Sequence, residues 1–137
     1  MGRWKKGFNV LGHEKNLTLP KKMSWPREPL PILDVTGTSI IIEKGVDISS
    51  GVQIFTHSHQ FGKSNWRKLN HLTLKGSTII KKNAFIGTNV IVLYKCKYIG
   101  RCSVIGAGSI VTCDIPDYEI WAGIPAKKIG KVKKVKK

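Results

Sequence analysis

A parallel β-helix, an all-β solenoid, is the fold this sequence predicts, and three observations predict it. A six-residue period runs through most of residues 36–116, an aliphatic residue heads each hexad, and glycine or asparagine recurs at a fixed phase within it. An α-helix would space apolar residues near every 3.6 positions, and a half-buried strand near every second. A period of six held over such a length fits neither, so the chain must coil.

The first block reads Ile42-Glu-Lys-Gly-Val-Asp, Ile48-Ser-Ser-Gly-Val-Gln, Ile54-Phe-Thr-His-Ser-His. The second reads Ile80-Lys-Lys-Asn-Ala-Phe, Ile86-Gly-Thr-Asn-Val-Ile, then Val92-Leu-Tyr-Lys-Cys-Lys-Tyr, which has one added residue. The register resumes as Ile99-Gly-Arg-Cys-Ser-Val, Ile105-Gly-Ala-Gly-Ser-Ile and Val111-Thr-Cys-Asp-Ile-Pro, ending at Pro116. The leading Ile or Val is β-branched and points inward, and the small or medium fifth residue (Val46, Val52, Ser58, Ala84, Val90, Cys96, Ser103, Ser109) shares the narrow interior with it. At the fourth position stand Gly45, Gly51, Asn83, Asn89 and Gly108, types that tolerate a left-handed backbone at a corner. Each hexad is thus a short strand and a corner. Three hexads close a turn of about 18 residues that rises about 4.8 Å, the spacing of paired strands. A stack this short buries a thin interior and leaves faces in water, so self-association is expected, as a trimer.

Outside the repeat, residues 1–35, with Pro20, Pro26, Pro29 and Pro31, are expected to form an irregular N-terminal cap. The repeat region is 36–116, interrupted at 60–73 by a loop leaving one corner, and long loops on rigid scaffolds tend to serve a site. Residues 117–137 complete the chain and end in a lysine-rich tail.

At 137 residues the chain has room for one domain. No run approaches the roughly 18 apolar residues of a membrane span, and no signal-peptide pattern follows Met1, so the reading is cytoplasmic with no membrane partner. The three cysteines lack CxxC spacing and read as small buried thiols rather than disulfide or zinc ligands. The net charge of +16 raises nucleic acid as a partner. However, residues 127–137 hold seven lysines and no acid, leaving 17 basic against 8 acidic residues elsewhere, so much of the excess is a tail. A phosphate-rich co-substrate would also favour a basic surface.

Over residues 42–130 the sequence resembles the hexapeptide-repeat acetyltransferases, which include galactoside and maltose O-acetyltransferases and sugar-modifying relatives. The likeness is strongest in Ile99-Gly-Arg-Cys-Ser-Val-Ile-Gly-Ala-Gly-Ser-Ile-Val-Thr-Cys-Asp-Ile-Pro and in Ile120-Trp-Ala-Gly-Ile-Pro-Ala-Lys-Lys-Ile. The resemblance implies a left-handed coil, against the usual right-handed crossover, and a segment from Ala122 to Ala126 lying against a CoA site. It implies transfer of an acetyl group from acetyl-CoA to a hydroxyl or amino group of a sugar, nucleotide-linked sugar or similar acceptor, with no metal.

Such transfer needs a base for the acceptor's proton, and imidazole suits neutral pH. Phe55-Thr-His-Ser-His-Gln60 ends a hexad where the loop departs, and the resemblance matches His59 to the catalytic histidine, with His57 two positions before it at the corner. No carboxylate partner for His59 is evident, although Asp34 and Asp47 lie near the first coils. His71 ends the loop and His13 reads as a surface residue. By resemblance, the Thr88 amide would meet the oxyanion, Phe85 would stand beside the reacting groups, and Ala107 would let the pantetheine arm pass. Thr112 would contact the co-substrate, and Lys127 and Lys128 would lie near its phosphates. Cys113 departs from the family's Thr-Lys pattern. In the loop, Trp66 and Arg67 can stack on a sugar or pair with a phosphate.

Two rival classes remain. A γ-type carbonic anhydrase shares the coil but needs three metal-binding histidines, and His57, His59 and His71 supply the number without the spacing. A non-enzymatic β-helix with a basic tail would need neither His59 nor Ala122-Gly-Ile-Pro-Ala126.

Overall fold

A computed structural model describes residues 3–5, 7–23, 26–59, 62, 64, 65 and 74–135. Strand β1 (Arg3–Lys5) runs antiparallel to β2 (Phe8–Gly12), and a single 3-10 turn, Glu14–Asn16, leads to β3 (Leu17–Thr18) and then β4 (Ile32–Val35). The first repeat coil is β5 (Ile40–Ile42), β6 (Asp47–Ile48) and β7 (Gln53–Ile54). A two-residue pair, β8 (His57–Ser58) and β9 (Leu74–Lys75), is antiparallel and flanks the interruption of the repeat at 60–73. Then come β10 (Thr78–Ile80), β11 (Phe85–Ile86), β12 (Ile91–Val92), β13 (Tyr98–Ile99), β14 (Val104–Ile105) and β15 (Ile110–Val111). The hairpin β16 (Glu119–Gly123) and β17 (Ala126–Lys131) ends the chain.

Parallel pairing stacks these strands into three faces of a prism. The first face carries β2, β4, β7, β12 and β15, the second β3, β5, β10 and β13, and the third β6, β11, β14 and β16. Every third strand therefore returns to the same face, as a six-residue period with three hexads per turn requires. All nine leading residues, Ile42 to Val111, are at most 2% exposed, and each such side chain contributes about 1.5–3 kcal/mol of burial.

The corners explain why glycine and asparagine keep their phase. Gly45, Gly51, Asn83, Asn89 and Gly108 all have positive φ, between 58° and 78°. A Cβ at Gly51 would fall 2.0 Å from the side-chain oxygen of Asn89 one coil on, so this glycine meets a steric demand as well as a backbone one. Cys102, at φ 55°, occupies the same fourth position and was not among the residues expected there. It shows that phase, more than residue type, sets the conformation.

Two expectations need correction. The N-terminal part, expected as an irregular cap, is not irregular throughout. β2 pairs with β4 and β3 with β5 in parallel, so these strands extend the first and second faces as a partial coil without hexads, with Phe8, Val10, Leu17, Leu33 and Val35 buried in the core. The cysteines also divide. Cys96 is buried, and desolvation pushes its thiol up to about 12, whereas Cys102 is half-buried and Cys113 exposed. The residue added between Val92 and Tyr98 is absorbed locally, since Asp114 Oδ1 accepts from the amides of Lys97 (2.7 Å) and Tyr98 (3.2 Å).

The lysine-rich end is partly strand. In β17, Lys127 lies opposite Ala122 and Lys128 opposite Trp121. Lys128 Nζ is 3.1 Å from Glu119 Oε2. The Trp121 indole N–H, and after it Lys128, hold the Glu119 carboxyl below its usual value.

Candidate functional site

The edge between the first and second faces is where the repeat breaks, and there the candidate residues converge. After the inward Leu33, β4 carries Asp34 next to its end, with the carboxyl fully buried. One coil later the chain leaving β7 carries Thr56 and His57. The register that places Leu33 beside Ile54 brings these two segments together.

Asp34 Oδ2 lies 2.5 Å from His57 Nδ1 and 3.4 Å from the Thr56 amide. Its other oxygen accepts from the Thr36 amide at 3.1 Å and the Thr36 hydroxyl at 2.5 Å. The Thr56 hydroxyl donates to the Asp34 carbonyl at 2.8 Å. A carboxylate out of water needs donors at each lone pair, and this one has them. With Nδ1 donating to the carboxylate, the tautomer is fixed and Nε2 is left to take a proton.

His57 stands beside a cavity of about 460 Å³, lined also by Phe55, Ser58, Leu93, Tyr94, Lys95 and Thr112. The His57 side chain is 27% exposed. His59, exposed, sets its ring edge-on to that of His57, with centroids 5.8 Å apart. The buried carboxylate thus falls to His57, while the resemblance had put His59 forward as base. Asp47, the other acid considered, sits exposed on the third face opposite Phe85.

The other candidates are spread over the prism. Thr112 shares the His57 cavity. Phe85, 39% exposed, lies on the third face. Thr88 and Ala107 are exposed on the edge between the third and first faces, where the Thr88 carbonyl accepts from the Gly108 amide at 2.8 Å. The end of β16 reaches the same edge. The Gly106 amide donates to the Trp121 carbonyl at 2.9 Å, and the Gly123 amide to Ser109 Oγ at 3.1 Å. A Cβ at Gly106 would lie 3.0 Å from that of Ala122. Lys127 and Lys128 are exposed on the adjoining hairpin. Trp66, Arg67 and His71 lie outside the described residues. Among the described residues, no three His, Cys, Asp or Glu side chains gather as metal ligands.

Sequence reasoning missed Asp34 as the histidine's partner, and Tyr94 and Lys95 as cavity walls. The usable signal for Asp34 was its place, directly after an inward aliphatic residue one coil before the histidines.

Comparison with known proteins agrees with this architecture, although no model of a protein family matches the chain. The chain is 47% identical over 57 residues to a dTDP-3-amino-3,6-dideoxy-alpha-D-galactopyranose 3-N-acetyltransferase of Aneurinibacillus thermoaerophilus, covering 42% of this chain and 29% of that protein. A galactoside acetyltransferase solved in complex with coenzyme A superposes with a TM-score of 0.62 at 30% identity, covering 74% of this chain and 50% of that one. A hexapeptide-repeat acetyltransferase of Vibrio cholerae, solved with acetyl-CoA, gives 0.72 at 23% identity over 93% of this chain and 73% of that one. The fold is the left-handed parallel β-helix. In sequence and in fold the chain is similar to the hexapeptide-repeat acetyltransferases. It spans half or less of the length of the relatives first matched by sequence.

Proposed function

We propose that this chain transfers an acetyl group from acetyl-CoA to a hydroxyl or amino group of a sugar or nucleotide-linked sugar, with His57 as general base. The observation that carries the reading is the Asp34–His57 pair, with His57 in the wall of a cavity. A buried carboxylate on one imidazole nitrogen, which turns the other nitrogen toward the proton to be taken, is the arrangement general-base catalysis needs. The names of the relatives supply the acyl donor and the acceptor class.

In this mechanism His57 Nε2 takes the acceptor's proton as its oxygen or nitrogen attacks the thioester carbonyl. Backbone amides, that of Thr88 foremost, meet the oxyanion. The C–S bond then breaks, and His57 returns the proton to the departing thiolate. His59, edge-on to His57, contributes a second imidazole on the acceptor side. Trp66 and Arg67 remain proposed acceptor contacts. Phe85, Ala107, Lys127 and Lys128 remain proposed contacts to the co-substrate, with Thr112 joining them from the His57 cavity.

The placement of these residues favours self-association. His57 and Thr112 lie on one edge of the prism, and Thr88 and Ala107 on another. One copy cannot bring both sets around a single thioester, whereas neighbouring copies in a homotrimer bring one edge of each together.

The test is thiol release from acetyl-CoA against a panel of sugars and nucleotide-linked amino sugars. Acceptor-dependent release is expected. Absence of both turnover and CoA binding would leave the fold serving another purpose.

A further inference from the structure

A larger cavity than the one at His57, about 930 Å³, opens on the edge between the second and third faces. Successive corners stack there. The Asn83 amide donates to the Lys44 carbonyl at 3.1 Å, the Cys102 amide to the Lys82 carbonyl at 2.9 Å, and the Tyr118 amide to the Arg101 carbonyl at 2.9 Å. Lys44, Lys82 and Arg101 therefore succeed one another up this edge, one coil apart, at about 4.8 Å per step. Lys21 and Lys22 enter from the N-terminal segment, and Leu19, Pro20 and Ile41 give the cavity an apolar side.

The one carboxylate in the lining, Glu43, is already taken, by Lys81 Nζ at 3.0 Å and the Lys82 amide at 3.0 Å. Among the described residues, no carboxylate forms an ion pair with Lys21, Lys22, Lys44, Lys82 or Arg101. Asp117, nearest the top of the column, accepts from the Tyr98 hydroxyl at 2.6 Å and the Arg101 amide at 2.8 Å. The column continues past Arg101, whose guanidinium lies 5.6 Å from the Tyr118 ring centre, with Lys134 Nζ 4.5 Å from the same centre. Like charges on neighbouring strands repel and destabilise. Gathered in a concave site, they focus a field that attracts polyanions.

We propose that this edge is a second ligand site, for an oligophosphate. Its phosphates run up Lys44, Lys82 and Arg101, and the apolar part of an organic ligand rests on Leu19, Pro20 and Ile41. The inference stands on this edge alone and does not depend on the acyl-transfer assignment. A ligand here relieves the repulsion between the stacked cations, so binding stabilises the folded chain.

The experiment is calorimetric titration and thermal unfolding of the full chain with inorganic tripolyphosphate at low ionic strength. Saturable binding and a rise in melting temperature are expected. Lys82→Glu/Arg101→Glu is expected to weaken binding about tenfold or more, and the neutral pair Lys82→Gln/Arg101→Gln to weaken it less. Lys15→Glu/Lys97→Glu carries the same charge change at exposed positions away from the cavity and is expected to bind as the wild type does. A nucleoside triphosphate that binds more tightly than tripolyphosphate would identify the ligand as organic, and equal binding as the inorganic chain. The proposal is overturned by any of three results: equal weakening in both charge-reversal pairs, equal stabilisation by orthophosphate at matched ionic strength, or single-stranded nucleic acid that binds and is not displaced by tripolyphosphate.

Discussion

Two kinds of edge hold this prism together, and they differ in what their residues are for. On the two regular edges the corners from Gly45 onward turn through a left-handed residue, namely Gly45, Asn83, Cys102 and Tyr118 on one, and Gly51, Asn89 and Gly108 on the other. On the edge that carries His57, Gly12 at the foot of the stack has positive φ, and among the described residues no corner from Asp34 onward does. There a buried carboxyl, two threonines and a histidine replace the glycine and asparagine. The regular edges meet a steric requirement that recurs each coil, and that requirement writes a period into the sequence. The third edge is released from the period, and the chemistry collects there.

The largest effect that separates the two kinds of edge is expected at Asp34. Asp34→Asn keeps the size of the side chain but removes the charge that orients His57. Turnover is expected to fall roughly 10- to 1,000-fold with little change in KM, measured by steady-state kinetics. An unchanged kcat would reduce Asp34 to a structural part of the corner.

On a regular edge the same scale of disturbance costs stability and spares chemistry. Gly51→Ala forces a left-handed alanine against the Asn89 side chain and is expected to cost about 1–3 kcal/mol, read by denaturant unfolding, with kcat per folded molecule retained. The smallest effect is expected at Cys102, which holds φ 55° without the freedom of glycine. Cys102→Gly is expected to stabilise the chain by about 0.5–1 kcal/mol. A loss of stability there would show that the half-buried thiol packs better than its backbone suggests.

The same contrast governs what was legible in the sequence. The coils from Ile42 to Val111 could be read because a leading aliphatic residue and a left-handed corner must recur every sixth position. The N-terminal coil could not. Phe8, Val10, Leu17, Leu33 and Val35 fill the same interior, but they do so from longer strands and a proline-rich connection, at spacings no template describes. The lysines of β17 read as a solvated tail because their strand is exposed and pairs antiparallel with β16, outside the repeat. At the site, the resemblance located the corner and its two histidines. It did not reveal which histidine is oriented, because Asp34 and His57 are 23 residues apart and meet only through the stacking of two successive coils. Cys102 was passed over because corners were sought by residue type, whereas its phase alone marks it.

The account's central claim is that the histidine held by the buried carboxyl is the base. The most direct measurement compares kcat for acetyl transfer in His57→Ala and His59→Ala, using one acceptor that the wild type turns over. A loss of roughly 100-fold or more for His57→Ala, with a smaller loss for His59→Ala, is the expected result. A loss of that size for His59→Ala, with His57→Ala nearly as active as the wild type, would contradict the claim and leave the Asp34–His57 pair a structural clasp at the corner.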